Sequence, residues 1–142
     1  MTALPVSREG IARLVPHQDA MCLLDRVESC DAEGIACRAT SHRDAANPLR
    51  RDGILPAICG LEYALQAMAL HGALTDGGPQ GVGFLAGLTG VTLTAERLDT
   101  VEGPLHITAT ALARESRGFI YGFAVSGEGR VLLSGRGTVV LA

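Results

Sequence analysis

The chain has 142 residues, 47% hydrophobic and 19% charged, with no tryptophan and a formal net charge of -3 at pH 7. That length and balance suit one globular domain over residues 1–142, with a core filled mainly by Ala, Val, Leu and Gly. All twelve basic residues are Arg, which excludes lysine Schiff-base chemistry and a Walker-type phosphate loop, and an acidic total without a basic run excludes nucleic acid as the main partner.

The first residues, Met1 to Val6, lack a basic stretch followed by an apolar run, so no signal peptide is predicted and a cytoplasmic location is expected. Residues 7–14 read as a short helix capped by Ser7 and ended before Pro16. The segment Pro16-His17-Gln18-Asp19-Ala20-Met21 has turn chemistry and feeds an apolar run, Met21 to Val27, read as a first strand with Asp25 and Arg26 as a partly buried pair. Gly34 to Thr40 alternates as a second strand, hairpinned to the first through Asp31-Ala32-Glu33-Gly34. A polar loop over residues 41–53 leads into the central element. Cys22, Cys30, Cys37 and Cys59 match neither a redox pair nor a zinc ligand pattern and are read as free thiols filling the core.

That central element is Leu55 to His71, a helix with Pro56 at or just before its first turn, rich in Ala, Leu and Met, and closed by Gly72 or Gly77-Gly78. From residue 53 to 95 the only ionised side chains are Glu62 and Asp76. A helix that is apolar nearly all round is a core helix or a membrane span, and a carboxylate in its middle then needs a reason. Glu62, Gln66, His71 and two glycines favour the buried helix over a span. At 100° per residue Gln66 lies above Glu62, whereas His71 points to the opposite side.

Strand texture follows. Val82 to Thr94 carries Gly83, Gly87 and Gly90, which signal bends or a bulge. Leu105 to Ala113, Phe119 to Ser126 and Val131 to Leu141 are spaced as hairpins, with turns at residues 115–118 and 127–130. Two strands, one long helix and four strands make an α+β order, an antiparallel sheet wrapped around the helix. No dinucleotide fingerprint, GxSxG elbow or HExxH motif is present.

Two segments resemble a known family, the hotdog-fold 3-hydroxyacyl-thioester dehydratases. Leu14-Val15-Pro16-His17, with Leu23-Leu24-Asp25-Arg26-Val27, is similar to that family's Leu-Pro-His and Asp-Arg-Val signature. Pro56, Glu62 and Gln66 stand where the family has its helix-opening proline, its catalytic acid and a glutamine one turn later. The family's usual catalytic histidine falls fourteen residues before the acid, where this chain has Pro48. Ser41-His42-Arg43-Asp44 with Asn47-Pro48-Leu49-Arg50, and Glu62-Tyr63-Ala64 with Gln66 to Gly72, are closer to the divergent ApeP-like branch.

The resemblance implies a single hotdog, dimerised edge to edge, as a homodimer or as a heteromer with a hotdog paralogue. It implies dehydration of a 3-hydroxyacyl thioester on acyl carrier protein or coenzyme A, in fatty-acid or aryl-polyene-type lipid synthesis. The cofactor expected is none, with no metal, since the substrate brings its own phosphopantetheine.

Such a reaction removes a C2 proton, protonates a departing hydroxyl and polarises a carbonyl. Glu62 is the candidate acid–base group, with burial expected to raise its pKa; the alternative is a structural carboxylate held by Arg26 or Arg50. His17 is the first candidate for the second group and His42 the next. Asn47 either orients substrate or forms the turn before Pro48. The N–H groups of Ala57 and Ile58 at the helix start are candidates for polarising the thioester carbonyl. Gln66 is expected to bond Glu62 or backbone, His71 to be a satisfied core or interface histidine, and His106 a strand-surface residue. Two other functions fit the same residues: thioester hydrolysis with Glu62 activating water, and a non-catalytic scaffold subunit beside an active paralogue.

Overall fold

The computed structural model describes residues 4–5, 7–13, 22–75, 83–115 and 118–141. Along the chain come α1 (Arg8–Ala12), β1 (Arg26–Cys30), β2 (Gly34–Ala39), α2 (Gly60–Thr75), β3 (Gly83–Leu93), β4 (Leu105–Glu115), β5 (Gly118–Gly127) and β6 (Arg130–Leu141). Single 3-10 turns occupy Ser41–Arg43 and Ala57–Cys59. The strands form one six-stranded sheet in the order β1-β2-β4-β5-β6-β3, with every pairing antiparallel.

Local chemistry explains most of these elements. The Ser7 side chain accepts from the Gly10 N–H and caps α1. Asp31 Oδ1 accepts from the N–H groups of Glu33 and Gly34 at 2.8 and 2.9 Å, which turns β1 into β2. Glu128 and Gly129, at φ 54 and 75, provide the two positive angles that a two-residue hairpin between β5 and β6 requires. On β5, Tyr121, Phe123 and Val125 are buried while the residues between them are less so; on β2, Ile35, Cys37 and Ala39 repeat the pattern.

These inward faces receive α2, which packs against β2, β4 and β5. Gly60 opens the helix where a Cβ would stand 2.9 Å from Leu133 Cδ2, so glycine permits the close approach of helix to β6. The helix runs through Gly72 to Thr75, and the Gly77-Gly78 stop signal lies outside the described residues. Most of its surface is buried, Tyr63, Ala64, Gln66, Ala67, Leu70 and His71 completely. A partly exposed stripe remains along Glu62, Leu65, Ala69 and Gly72, continued by exposed Ile58 in the preceding turn.

The strand at one edge, β3, contains no charged residue, and Leu85, Leu88 and Leu93 are exposed on it. Its ladder with β6 slips between Leu85 and Gly87 and again between Thr89 and Thr92, around Gly90 at φ +61, as the glycines of this stretch predict.

Two expectations are corrected. The first strand starts at Arg26, and the preceding apolar run is not strand although Cys22, Leu23 and Leu24 are buried. Side chains take the Leu23 backbone groups in place of a ladder: its N–H bonds Gln66 Oε1 at 2.9 Å and its carbonyl accepts from Ser41 Oγ at 2.7 Å. Met21 lies outside the described residues. Asp25 and Arg26 are not a pair either, since Asp25 Oδ2 accepts from the Thr40 hydroxyl and Arg26 approaches Glu28 at 3.5 Å.

Candidate active site

Glu62 sits half-buried in the first turns of α2, on the one stripe of the helix that the sheet does not cover. Among the described residues its carboxylate has no hydrogen bond and no ion pair. Neither arginine proposed as its structural partner reaches it: Arg26 lies by Glu28, and Arg50 donates to the carbonyls of Gly53 and His42 at 2.9 and 3.1 Å. Ile58 lies four residues before it, 46% exposed, and Leu65 three residues after, partly exposed. A carboxylate without a partner, bordered by apolar side chains, is available to a ligand. Cys59, one turn earlier, has its thiol pushed up first by burial and then by the charge of Glu62.

A buried polar network packs beside this turn. Ser41 Oγ donates its one proton to the Leu23 carbonyl, so the Tyr63 hydroxyl donates to Ser41 Oγ, 2.8 Å away, and accepts from Asn47 Nδ2 at 3.1 Å. The other Asn47 Nδ2 proton bonds the Ser41 carbonyl at 2.9 Å, and Asn47 Oδ1 accepts from the Leu49 N–H at 2.8 Å. Burial pushes the Tyr63 phenol up, so it stays protonated as donor. Both amide protons of Asn47 are thus consumed inside the fold, and of its two readings the turn-forming one is what the geometry gives. Tyr63 and Ser41 were not singled out by sequence. The signal for them is weak: a tyrosine in an otherwise aliphatic helix needs a partner for its hydroxyl.

Gln66 takes the backbone alternative expected of it, through Leu23. Of the two N–H groups proposed at the helix start, Ala57 donates to the Glu96 carbonyl at 3.0 Å and is unavailable to a substrate carbonyl. Ile58 N–H pairs with no carbonyl among the described residues. Further ties hold this entrance: Leu98 N–H to the Leu55 carbonyl at 2.8 Å, and Leu55 N–H to Asp99 Oδ1 at 2.8 Å.

The histidines separate. His42 is fully buried, and its Nε2 donates to the Val101 carbonyl at 3.0 Å, which Arg43 also reaches at 3.2 Å. Burial lowers its pKa, with the Arg43 charge acting in the same direction, and its Nδ1 is buried without a hydrogen-bond partner among the described residues. No hydrogen bond or ion pair joins His42 to Glu62 among the described residues. His71 is buried as expected, between the Tyr121 hydroxyl at Nδ1 and the Asp31 carbonyl at Nε2, both at 2.8 Å. His106 is on the surface of β4, its side chain 53% exposed, 3.4 Å from Glu28. His17 lies outside the described residues. Burial pushes the Cys37 thiol up to about 12, in keeping with a core thiol. Among the described residues no three His, Cys, Asp or Glu side chains group as metal ligands, and no helix is long and apolar enough to cross a membrane.

One antiparallel sheet wrapped around one long helix, with an uncommitted carboxylate near the start of that helix, defines a hotdog domain. The chain belongs to the ApeP-like family, described as ApeP dehydratase, whose model matches residues 9–141. No curated protein sequence matches it. Among solved structures it is similar to a chain of the dehydratase heterocomplex ApeI:P from Xenorhabdus doucetiae, with 23% identity, TM-score 0.82, and coverage of 99% of this chain and 93% of that one. A mutant thioesterase from Pseudomonas aeruginosa shares 17% identity at TM-score 0.59 over 81% of this chain and 78% of its own. A hypothetical thioesterase with coenzyme A from Streptococcus pneumoniae shares 12% identity at TM-score 0.59, covering 82% and 84%. At these identities the structural likenesses establish the fold.

Proposed function

We propose that this protein is a 3-hydroxyacyl-thioester dehydratase subunit of the fatty-acid or aryl-polyene type, with Glu62 as its acid–base group. The observation that carries the reading is the half-buried Glu62 carboxylate, without a partner among the described residues, on the uncovered stripe of an otherwise buried helix. The substrate brings its own phosphopantetheine thioester, on acyl carrier protein or coenzyme A. Its acyl chain lies along Ile58 and Leu65, and the Ile58 N–H faces the thioester carbonyl. Glu62 exchanges a proton with the substrate as the hydroxyl leaves C3 and the proton leaves C2, giving the enoyl thioester and water.

Dehydration needs a second proton-transfer group. His71 is held at both ring nitrogens, His42 is fully buried with Nε2 on the Val101 carbonyl, and His106 is exposed beside Glu28, which favours His17 or a histidine of a second hotdog subunit. An uncharged, exposed edge strand supports pairing with such a subunit, because an unpaired edge of that kind otherwise recruits aggregation. The heterocomplex to which this chain is similar supports a paralogue over a second copy.

The test is hydration of an enoyl thioester, on carrier protein and on coenzyme A, by the protein alone and with a hotdog paralogue. Glu62→Gln should lower turnover by at least two orders of magnitude in the active assembly and leave the fold intact. Retention of turnover within a few-fold by Glu62→Gln overturns the reading and favours the scaffold role. Thioester hydrolysis in place of hydration assigns Glu62 to water activation.

A further inference from the structure

Two residues of α2, Tyr63 beside Glu62 and Gln66 one turn later, bind polar groups that are remote in sequence. Tyr63 reaches Asn47 and Ser41 through its hydroxyl, and Gln66 accepts the Leu23 N–H. Leu23 is consequently gripped at both ends, by Gln66 at its N–H and by Ser41 at its carbonyl, with Ser41 in turn receiving the Tyr63 proton. Asn47 transmits the same contact forward by accepting the Leu49 N–H. The Leu49 carbonyl then lies 4.0 Å from the thiol of Cys59, one turn before Glu62, closing a ring around the helix start. Tyr63 and Gln66 are fully buried and Asn47 is 6% exposed, so water cannot take the place of these three side chains without entering the core.

We propose that Tyr63 is a positioning residue: through Ser41 and Asn47 its hydroxyl sets the wall of residues 47–49 against the turn carrying Glu62, and so holds an acyl thioester in register with that carboxylate. The proposal rests on the catalytic reading of Glu62. Tyr63 touches no reacting atom, and its whole effect passes through the loop. Loss of a positioning contact lowers the fraction of bound substrate in reactive geometry, so it acts on kcat more than on KM. A displacement on the order of 1 Å is enough for about a hundredfold loss.

The experiment compares Tyr63→Phe, Ser41→Ala and Ser41→Thr with Glu62→Gln in whichever assembly of the full chain hydrates an enoyl thioester. The first two variants should lose about ten- to a hundredfold in kcat with KM unchanged within about twofold, and Ser41→Thr, which keeps the hydroxyl, should return to near wild type. Amide exchange at Leu49 should quicken in Tyr63→Phe while the β4–β5 ladder keeps its protection. A turnover loss no larger than the loss of folded protein, or one that Ser41→Thr fails to rescue, overturns the proposal. If Glu62→Gln is inactive and Tyr63→Phe turns over normally, the catalytic reading stands and the positioning role alone falls. Normal turnover by Glu62→Gln removes both.

Discussion

The imidazole of His42 donates from Nε2 to the carbonyl oxygen of Val101, 3.0 Å away, and the pair is sealed from solvent, with His42 0% and Val101 3% exposed. This bond ties the 3-10 turn after β2 to the segment before β4, which gives the second histidine candidate a structural role.

Burial favours the neutral ring, so the folded-state pKa of His42 lies below its ordinary 6.5. The unfolded chain then binds this proton at a higher pH than the folded one does. The contribution is fully present above about pH 6.5 and is lost as pH falls through the folded value. Denaturant unfolding between pH 8 and pH 5 should show this slope in the wild type and a shallower one in His42→Ala. His42→Ala itself should lose about 1–3 kcal/mol, the usual consequence of losing a buried hydrogen-bonded side chain. An unchanged slope refutes the assignment.

His71 and Tyr121 meet edge to face, with ring centroids 5.5 Å apart and a 2.8 Å hydrogen bond between them. The Asp31 carbonyl accepts from Nε2, so Nδ1 carries the lone pair and the Tyr121 hydroxyl donates to it. Tyr121→Phe and His71→Ala should each destabilise by about 1–3 kcal/mol, and the double variant by less than the sum. Turnover per folded molecule should stay within a few-fold. Additive losses in the cycle would falsify a direct coupling.

Asp99 receives both Nε and Nη2 of Arg97 and the Leu55 N–H, and the Arg97 guanidinium holds its carboxyl at about 2, below the usual 3.8. A carboxylate with a depressed pKa stabilises the fold above about pH 3.8 and loses that contribution as pH falls toward 2. Asp99→Asn should flatten the acid limb of the unfolding curve and loosen the entrance to α2 at Leu55. Circular dichroism from pH 5 to pH 2 reads the first effect, and amide exchange at Leu55 the second.

With His42 and His71 committed elsewhere, His17 is the remaining histidine of this chain with a motif behind it. His17→Ala should lower kcat by about two to four orders of magnitude, the usual contribution of a positioned acid–base group, with little change in melting temperature. Full activity of His17→Ala beside a hotdog paralogue assigns the second proton-transfer group to that partner.

Amino-acid order alone determined the scaffold and its one unusual charge. The long apolar helix behind Pro56, the hairpin turns at Asp31 and at Glu128-Gly129, the irregularity of β3 and the buried role of His71 all follow from periodicity, turn chemistry and the scarcity of charge between residues 53 and 95. These are properties of neighbouring residues, and local chemistry carries them. Tertiary structure decided where the polar groups found partners. Leu23 left the strand because Gln66 and Ser41, 43 and 18 residues away, took its backbone groups. Ala57 lost its N–H to Glu96, Asn47 gave both amide protons to Ser41 and Tyr63, and His42 turned inward to Val101. A buried donor must be paired by whatever acceptor the fold brings near it. That pairing depends on contacts across tens of residues, so Glu62 stands out as the carboxylate of the helix that the fold left available.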